Sequence, residues 1–310
     1  MNGVLTLTPN PAVDETYQVA LRPGETHRVR APEVRAGGKG LNVARVVARA
    51  GRPVVAIAPV DELHLAQFGD QLRASGVTPE LVQVTGPTRR SIALVDTAAD
   101  QATVLNEYGV PISRAEWAKL DDCLKWSMAK YAPRVVVVSG SLPPDPPRNL
   151  FPEIIKYARA SRARCIVDTS GPALLDAVAA GADLVKPNAE EVREATGESD
   201  LATAVRALLD RSPDEGARAL VSAGPDGLAL FTKGRRGALV ARPPERLRGN
   251  PTGAGDAAVA AAAVALCSDW DDERLARTAV QWSSAAVLAP VAGELGPLTA
   301  PARIRVVEEN

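Results

Sequence analysis

The residues Asn250-Pro251-Thr252-Gly253-Ala254-Gly255-Asp256 run directly into an almost wholly apolar stretch, Ala257–Leu266. Glycines 253 and 255 let a backbone come close to a ligand. Free N–H groups at a helix start, with the positive end of its dipole, bind anions. Asp256 falls in the first turn, where that dipole favours the ionised carboxylate. A carboxylate beside an anion hole is what phosphoryl transfer to an alcohol needs, the N–H groups holding the phosphoryl and the carboxylate accepting the proton. The same residues also fit a glycine loop with an acidic helix cap, and short glycine motifs misfire often.

A second glycine cluster, Ala36-Gly37-Gly38-Lys39-Gly40-Leu41-Asn42, precedes an apolar segment, Leu41–Ala50. It could clamp a polyhydroxyl substrate with Lys39 near a phosphate, or form a tight turn with a solvated lysine. Arg89 and Arg90 have the geometry for bidentate phosphate contact, although exposed strand arginines are common. Asp14 could accept hydrogen bonds from sugar hydroxyls or serve as a turn residue after Pro11. Asn188 and Glu191 have the spacing of a helix capping box, and could equally orient water around magnesium, which takes few protein ligands. Asp168 is ambiguous in the same way.

These residues sit at the ends of strand-like segments. Val4–Leu7, Val54–Ala58, Val135–Val138, Cys165–Val167, Asp183–Val185, Ala219–Val221 and Leu228–Phe231 read as strands. Several are continuous apolar runs, which suits parallel strands buried on both faces. Ser113 with Glu116 predicts a helix start running to about Lys130, and Asp271–Leu288 reads as another helix. The alternation predicts a doubly wound α/β sheet. Ligands of such sheets bind beyond the carboxyl ends of strands. There lie Thr8–Asp14, Ser139–Pro143, Asp168–Gly171, Lys186–Glu191 and Ser222–Gly224. Asp14–Arg35 and Arg89–Asn106 read as short strands without helices between them, and are expected to form a small β lid on a single domain spanning 1–310. The residues from about Pro301 are expected to be loosely ordered.

Composition narrows the class. The chain has 310 residues, 36 basic and 37 acidic, for a formal net charge of -1. A nucleic-acid face would show as a basic excess, so no nucleic-acid partner is expected. Cys123, Cys165 and Cys267 are far apart and odd in number, which argues against a disulfide framework and for a reducing compartment. His27 and His64 are the only histidines, so a multi-histidine metal site is excluded. No apolar run approaches the roughly 20 residues that span a bilayer, and Val4–Leu7 lacks the flanks of a signal peptide. A cytoplasmic protein with no membrane partner is expected.

In order and spacing, Gly37-Gly38-Lys39-Gly40, Lys186-Pro187-Asn188 with Glu191, and Gly253-Ala254-Gly255-Asp256 resemble the PfkB, or ribokinase-like, family of carbohydrate kinases. Thr6–Asp14, Ala36–Arg45, Leu105-Asn106-Glu107, Ser139–Pro144 and Asp168–Gly171 resemble its 1-phosphofructokinase and tagatose-6-phosphate kinase branch. The resemblance runs from about Leu5 to Leu298. It implies a ribokinase-like fold with a β lid, often dimerised through that lid. It implies Asp256 as base, with Gly253, Ala254 and Gly255 as the anion hole. Asp14, Gly38 and Asn42 would hold the sugar, and Lys39 and Arg89 its phosphate, with Ser139 assisting. Lys186, Asn188, Ser222, Gly224, Gly227 and Ser284 would serve ATP, with Asn188 and Glu191 near Mg2+ through water; potassium is a further candidate cofactor. The expected substrate is fructose 1-phosphate, fructose 6-phosphate or tagatose 6-phosphate. Val60-Asp61-Glu62 stands where the branch has a glycine pair, and two acids near a substrate phosphate would weaken its binding. That departure keeps a non-phosphorylated sugar or nucleoside open as acceptor. A non-catalytic sugar-phosphate or nucleotide sensor is the third reading. Asn106–Gly109 and Ala292–Gly296 depart from the branch pattern as well.

Overall fold

The computed structural model describes residues 3–98, 101–245, 247, 252–289, 291–298 and 302–307. The chain begins with β1 (Val4–Leu7), β2 (Ala12–Val19), β3 (Glu33–Gly37), α1 (Lys39–Arg49), β4 (Val54–Asp61), α2 (Glu62–Ala74), β5 (Thr78–Val84), β6 (Arg89–Asp96) and β7 (Gln101–Asn106). It continues with α3 (Arg114–Tyr131), β8 (Val135–Ser139), α4 (Leu150–Ala160), β9 (Arg164–Asp168), α5 (Pro172–Ala179), β10 (Leu184–Val185), α6 (Ala189–Thr196) and α7 (Leu201–Leu209). It closes with β11 (Arg218–Ser222), β12 (Leu228–Thr232), β13 (Ala238–Arg242), α8 (Ala254–Cys267), α9 (Asp272–Val287) and β14 (Arg303–Val307).

Among the described residues, ten strands form the main sheet in the order β14-β13-β12-β11-β10-β9-β8-β1-β4-β5. From β11 to β5 all neighbours are parallel, with β1 between β8 and β4, pairing Val4 to Val135 and to Val54. The strands β12, β13 and β14 add an antiparallel edge. Side chains alternate across a strand. Val135 and Val137 therefore join a core with α1, α8 and α9, whereas Val136 and Val138 join a second core with α3, α4, α5 and α7. This is the doubly wound α/β fold expected. Its strands are buried on both faces because helices cover both. Helix α8 is built largely of alanine and is buried from Asp256 to Cys267, so α1 and α9 can pack closely on either side of it.

A second sheet, in the order β3-β2-β6-β7, contains both helix-free segments. Only parts of them are extended: the residues 20–32 between β2 and β3 carry no strand. Sequence periodicity also missed β5, α2 and the edge strands β13 and β14, while finding β12. The C-terminal strand β14 pairs with β13 along its whole length, where loose order had been expected from about Pro301. Ser113 and Glu116 form the predicted capping box of α3. Hydrogen bonds from Ser113 and Thr85 bring the Glu116 carboxyl down to about 2.

Candidate active site

The carboxyl ends of β1, β8 and β9 open onto a cleft of about 570 Å³ between the main sheet and the small sheet. Asp14, Gly38, Lys39, Asn42 and Arg89 line it, with Gly253, Gly255 and Asp256 at its floor. A second cavity of about 470 Å³ is lined by Ser222, Gly224, Gly227, Ser284, Val280 and Leu228, and by Ala254 and Gly255. The two cavities therefore meet at Gly255, in the first turn of α8. Asn250 and Pro251 of the same motif lie outside the described residues.

Close packing explains the first glycine cluster. A side chain on Gly37 would collide with the Asp14 carboxylate, and one on Gly40 with the Thr8 hydroxyl. Gly38 has φ +113° and its Cβ would lie 2.8 Å from Thr8 Cγ2, a conformation that L side chains avoid. The cluster thus seats Asp14 and the start of α1 against β1. At the other motif, Gly253 is left-handed at φ +87° and presses on Ala292, with 3.0 Å from a Cβ there to Ala292 Cα. That turn leaves the first N–H groups of α8 without helical partners.

Asp256 is 6% exposed, and Asn42 donates to its Oδ2 from Nδ2 at 2.9 Å. Burial raises the Asp256 carboxyl to about 6, with Lys39 pulling it down, Asp168 pushing it up and the Asn42 bond pulling it down. Asp14 is also raised to about 6 by burial, against the opposing charges of Arg45 and Arg89. Both carboxylates are thus poised near neutrality, as proton acceptors at such sites commonly are.

Asp168 is the hub that sequence reasoning left ambiguous. It is fully buried, with Lys39 Nζ at 3.5 Å and Lys186 Nζ at 3.4 Å. Ser139 donates to it at 2.9 Å. Burial pushes its carboxyl up, but Lys186, Lys39 and Ser139 outweigh that and hold it below the usual range. In return, the Asp168 charge raises the Lys39 ammonium against its own burial. One carboxylate thereby fixes a lysine on the cleft side and another, Lys186, behind Gly255, whose Cβ would lie 3.3 Å from Lys186 Nζ.

Other expected residues are placed differently. Ser139 is fully buried and bonded to Asp168, beneath the cleft rather than in it, so the expected contact to a sugar phosphate gives way to support of Asp168. Asn188 and Glu191 line neither cavity. They form a capping box, with Glu191 N donating to Asn188 Oδ1 and Asn188 N to Glu191 Oε2, both at 2.8 Å. Arg89 lines the cleft while its Nε and Nη1 donate to the carbonyls of Asn10 and Glu107, which aims the guanidinium. Asp61 and Glu62 are absent from the lining of the cleft. Asp61 instead caps α2, accepting from His64 N at 3.0 Å and from Thr88 N at 2.6 Å. Burial pushes Asp61 up, but the bonds from Thr88 and His64 hold its carboxyl far below the usual range. Asp61 is thus bonded to the residue just ahead of Arg89 rather than facing the cleft.

Sequence reasoning put Asn10, Ser141, Thr169 and Ser170 in strand-end segments without giving them a role; Asn10 donates to Tyr108 O and Ser141 Oγ, and Ser141, Thr169 and Ser170 lie in the cleft wall. Their signal was their place after strand ends. Among the described residues, no three His, Cys, Asp or Glu side chains form a metal-binding group, and no helix is long and apolar enough to cross a membrane.

Known proteins resemble this one over most of the chain. The chain is 36% identical over 290 residues to the 1-phosphofructokinase of Xanthomonas campestris pv. campestris, covering 90% of this chain and 89% of that protein. It is 33% identical over 299 residues to the ATP-dependent 6-phosphofructokinase isozyme 2 of Mycobacterium tuberculosis, covering 93% and 84%. The crystal structure of phosphofructokinase-2 from Escherichia coli in complex with fructose-6-phosphate superposes with TM-score 0.82 at 28% identity, covering 93% of this chain and 94% of that one. The profile of the pfkB family carbohydrate kinases matches residues 7–297, and the chain accordingly belongs to that family of carbohydrate kinases, enzymes that phosphorylate an alcohol group.

Proposed function

We propose that the protein transfers the γ-phosphoryl group of Mg-ATP to a hydroxyl of a ketohexose phosphate, with fructose 1-phosphate as the first candidate. The observation that carries this reading is the meeting of two cavities at Gly255, beside the buried carboxylate of Asp256. One cavity is the more polar of the two and is flanked by Lys39 and Arg89, which suits a phosphorylated polyol. The other is mainly apolar with a few hydroxyls, which suits a purine ring. A phosphoryl group at the α8 N-terminus would lie between them.

The chemistry follows from these placements. Asp256 accepts the proton of the attacking hydroxyl, and its burial matches its basicity to neutral pH. The N–H groups at Gly253–Gly255 receive the charge on the migrating phosphoryl. Lys39 and Arg89 hold the distal phosphate, and Asp14 accepts from the sugar. Ser222, Gly224, Gly227 and Ser284 border the base and ribose, and Lys186 supports the phosphate chain. The donor set for magnesium is thin. It fits an ion held chiefly by nucleotide oxygens and water, with the free oxygen of Glu191 and the side chain of Asn188 as outer contacts. Magnesium supplies charge neutralisation on the phosphates when bound. Potassium is retained as a candidate activator. We also assign the small sheet the role of a lid and of a dimer contact.

The acceptor reading with a free sugar rested on Asp61 and Glu62, and their position outside the cleft removes its motive. The test is ADP release with Mg-ATP against fructose 1-phosphate, fructose 6-phosphate, tagatose 6-phosphate, free fructose and ribose, with and without potassium. Turnover is expected on a phosphorylated ketose, falling as pH drops through about 6 while Asp256 and Asp14 protonate. Asp256→Asn should cost about 10²–10⁴ in rate. Turnover confined to a free sugar would overturn the assignment of Lys39 and Arg89.

A further inference from the structure

Arg45 lies on α1, one turn beyond Asn42, and is 5% exposed. It touches neither the sugar-facing carboxylates nor the anion hole through a hydrogen bond. Its Nη1 donates to Asn42 Oδ1 at 3.2 Å and its Nη2 to the Ala36 carbonyl at 2.5 Å. Asn42 in turn donates to Asp256. We propose that Arg45 is a positioning residue for the base, locking the Asn42 amide in the one orientation that donates to Asp256. This rests on the assignment of Asp256 as proton acceptor.

The argument is one of donors and acceptors. A guanidinium only donates and a carboxylate only accepts. An amide held between them satisfies both only with its oxygen toward Arg45 and its nitrogen toward Asp256. Without Arg45 the Asn42 oxygen loses its donor and the amide is free to rotate away. The site has little slack, since a Cβ on Gly293 would come within 2.9 Å of Asn42 Oδ1 and 3.4 Å of Arg45 Cδ. Thus the loop after α9 lies against the same pair.

Packing alone does not account for an arginine here. Burying a charge is costly, and an apolar side chain of similar volume often serves as well or better. Burial lowers the Arg45 guanidinium to about 10, with Arg35 adding to the drop and Asp14 and Glu294 opposing it, so it stays charged at neutral pH. Glu294 is itself paired with Arg35 at 3.2 Å. The charged groups around Asp256 are Lys39 from α1, Asp168 from the end of β9 and Lys186 after β10, with Asp14 from β2 close enough to feel it. The Asn42 amide hydrogen-bonds to none of them, its side-chain partners being Asp256 and Arg45.

The test is the pH profile of kcat/KM at saturating Mg-ATP for the wild type, Arg45→Met, Asn42→Ala and the double variant. Loss of the Asn42 bond raises the Asp256 carboxyl, so the acid limb should move up by about one pH unit. A shift of that size cuts activity about fivefold at pH 6 and hardly at all at pH 8. In the Asn42→Ala background, Arg45→Met should then add nothing. If Arg45→Met fails to fold, Arg45→Lys keeps the charge but has no second N–H arm to hold Asn42 and Ala36 together, and the same limb shift is expected. A loss equal at all pH values, an unmoved limb, or full additivity with Asn42→Ala would overturn the proposal. Additivity would point instead to an effect through Asp14. Asp256→Asn, measured alongside, separates the two levels. If it keeps turnover, the base assignment fails and the Arg45 role with it. If it loses turnover while the cycle is additive, only the Arg45 role fails.

Discussion

Asp256, the proposed base, is a residue whose burial would serve catalysis at the expense of stability. Its carboxyl is raised from 3.8 to about 6 by desolvation. The folded state therefore binds a proton more readily than the unfolded chain between those values, and stability falls as pH rises through that window. At pH 8 the penalty of the ionised form is fully present, on the order of 3 kcal/mol for a shift of about two units. Asp256→Asn removes the charge. It should raise the unfolding free energy at pH 8, with the gain shrinking toward pH 4, as read by denaturant unfolding at both pH values. Equal stability of the two proteins at pH 8 would contradict the burial argument. Asp168 is the opposite case. It is more deeply buried but carries two lysines and a serine, so its charged form is the favoured one.

Element ends carry much of the site. Helix α6 begins with Asn188 and Glu191 in a reciprocal cap, so a structural duty and a proposed magnesium contact fall on the same side chains. Glu191→Gln separates them. A glutamine oxygen still accepts from the Asn188 N–H and keeps the cap, whereas the negative charge is lost. Unchanged unfolding with a roughly tenfold higher magnesium requirement is expected, the size typical of losing an outer-shell contact. The same magnesium dependence as wild type would leave the pair as a cap alone. The N-cap of α2 has a different duty. Asp61 ties the end of β4 to Thr88, at the joint where the chain leaves the main sheet for β6. The capping box at Ser113 was legible because its two partners lie three residues apart. The tie from Asp61 to Thr88 was not, because nothing local to either residue announces the other.

At the scale of the molecule, the small sheet leaves apolar side chains in solvent. On β7 Leu105 is 53% exposed and Val104 38%, and all of that edge strand is exposed. Edge strands of this kind are ordinarily covered or paired. The proposed dimer would cover them. Sedimentation velocity should show a dimer at micromolar concentration. Leu105→Asp should weaken it by about 2 kcal/mol or more if the leucine is a central contact, with little loss of monomer stability because about half of the residue is already exposed. A monomeric wild-type protein would exclude this contact.

The sequence by itself determined the order of strands with polar ends, the two glycine clusters and the apolar helix over Ala257–Leu266 that the cluster at Gly253 opens. Each is written in consecutive residues, as a hydrophobic run, a turn residue or a cap. Tertiary structure alone decided which of those ends meet. Asn42 and Asp256 are 214 residues apart, and Asp168 draws Lys39 and Lys186 from opposite sides of it in the chain. Their union depends on parallel strands placing distant loops on one rim. That is also why Ser139 could not be told from a cleft residue, why Asp61 read as a charge facing the substrate, and why Arg45 carried no signal beyond its motif. A strand end shows that a side chain is near the rim, and only packing decides whether it faces the cleft or a neighbouring charge.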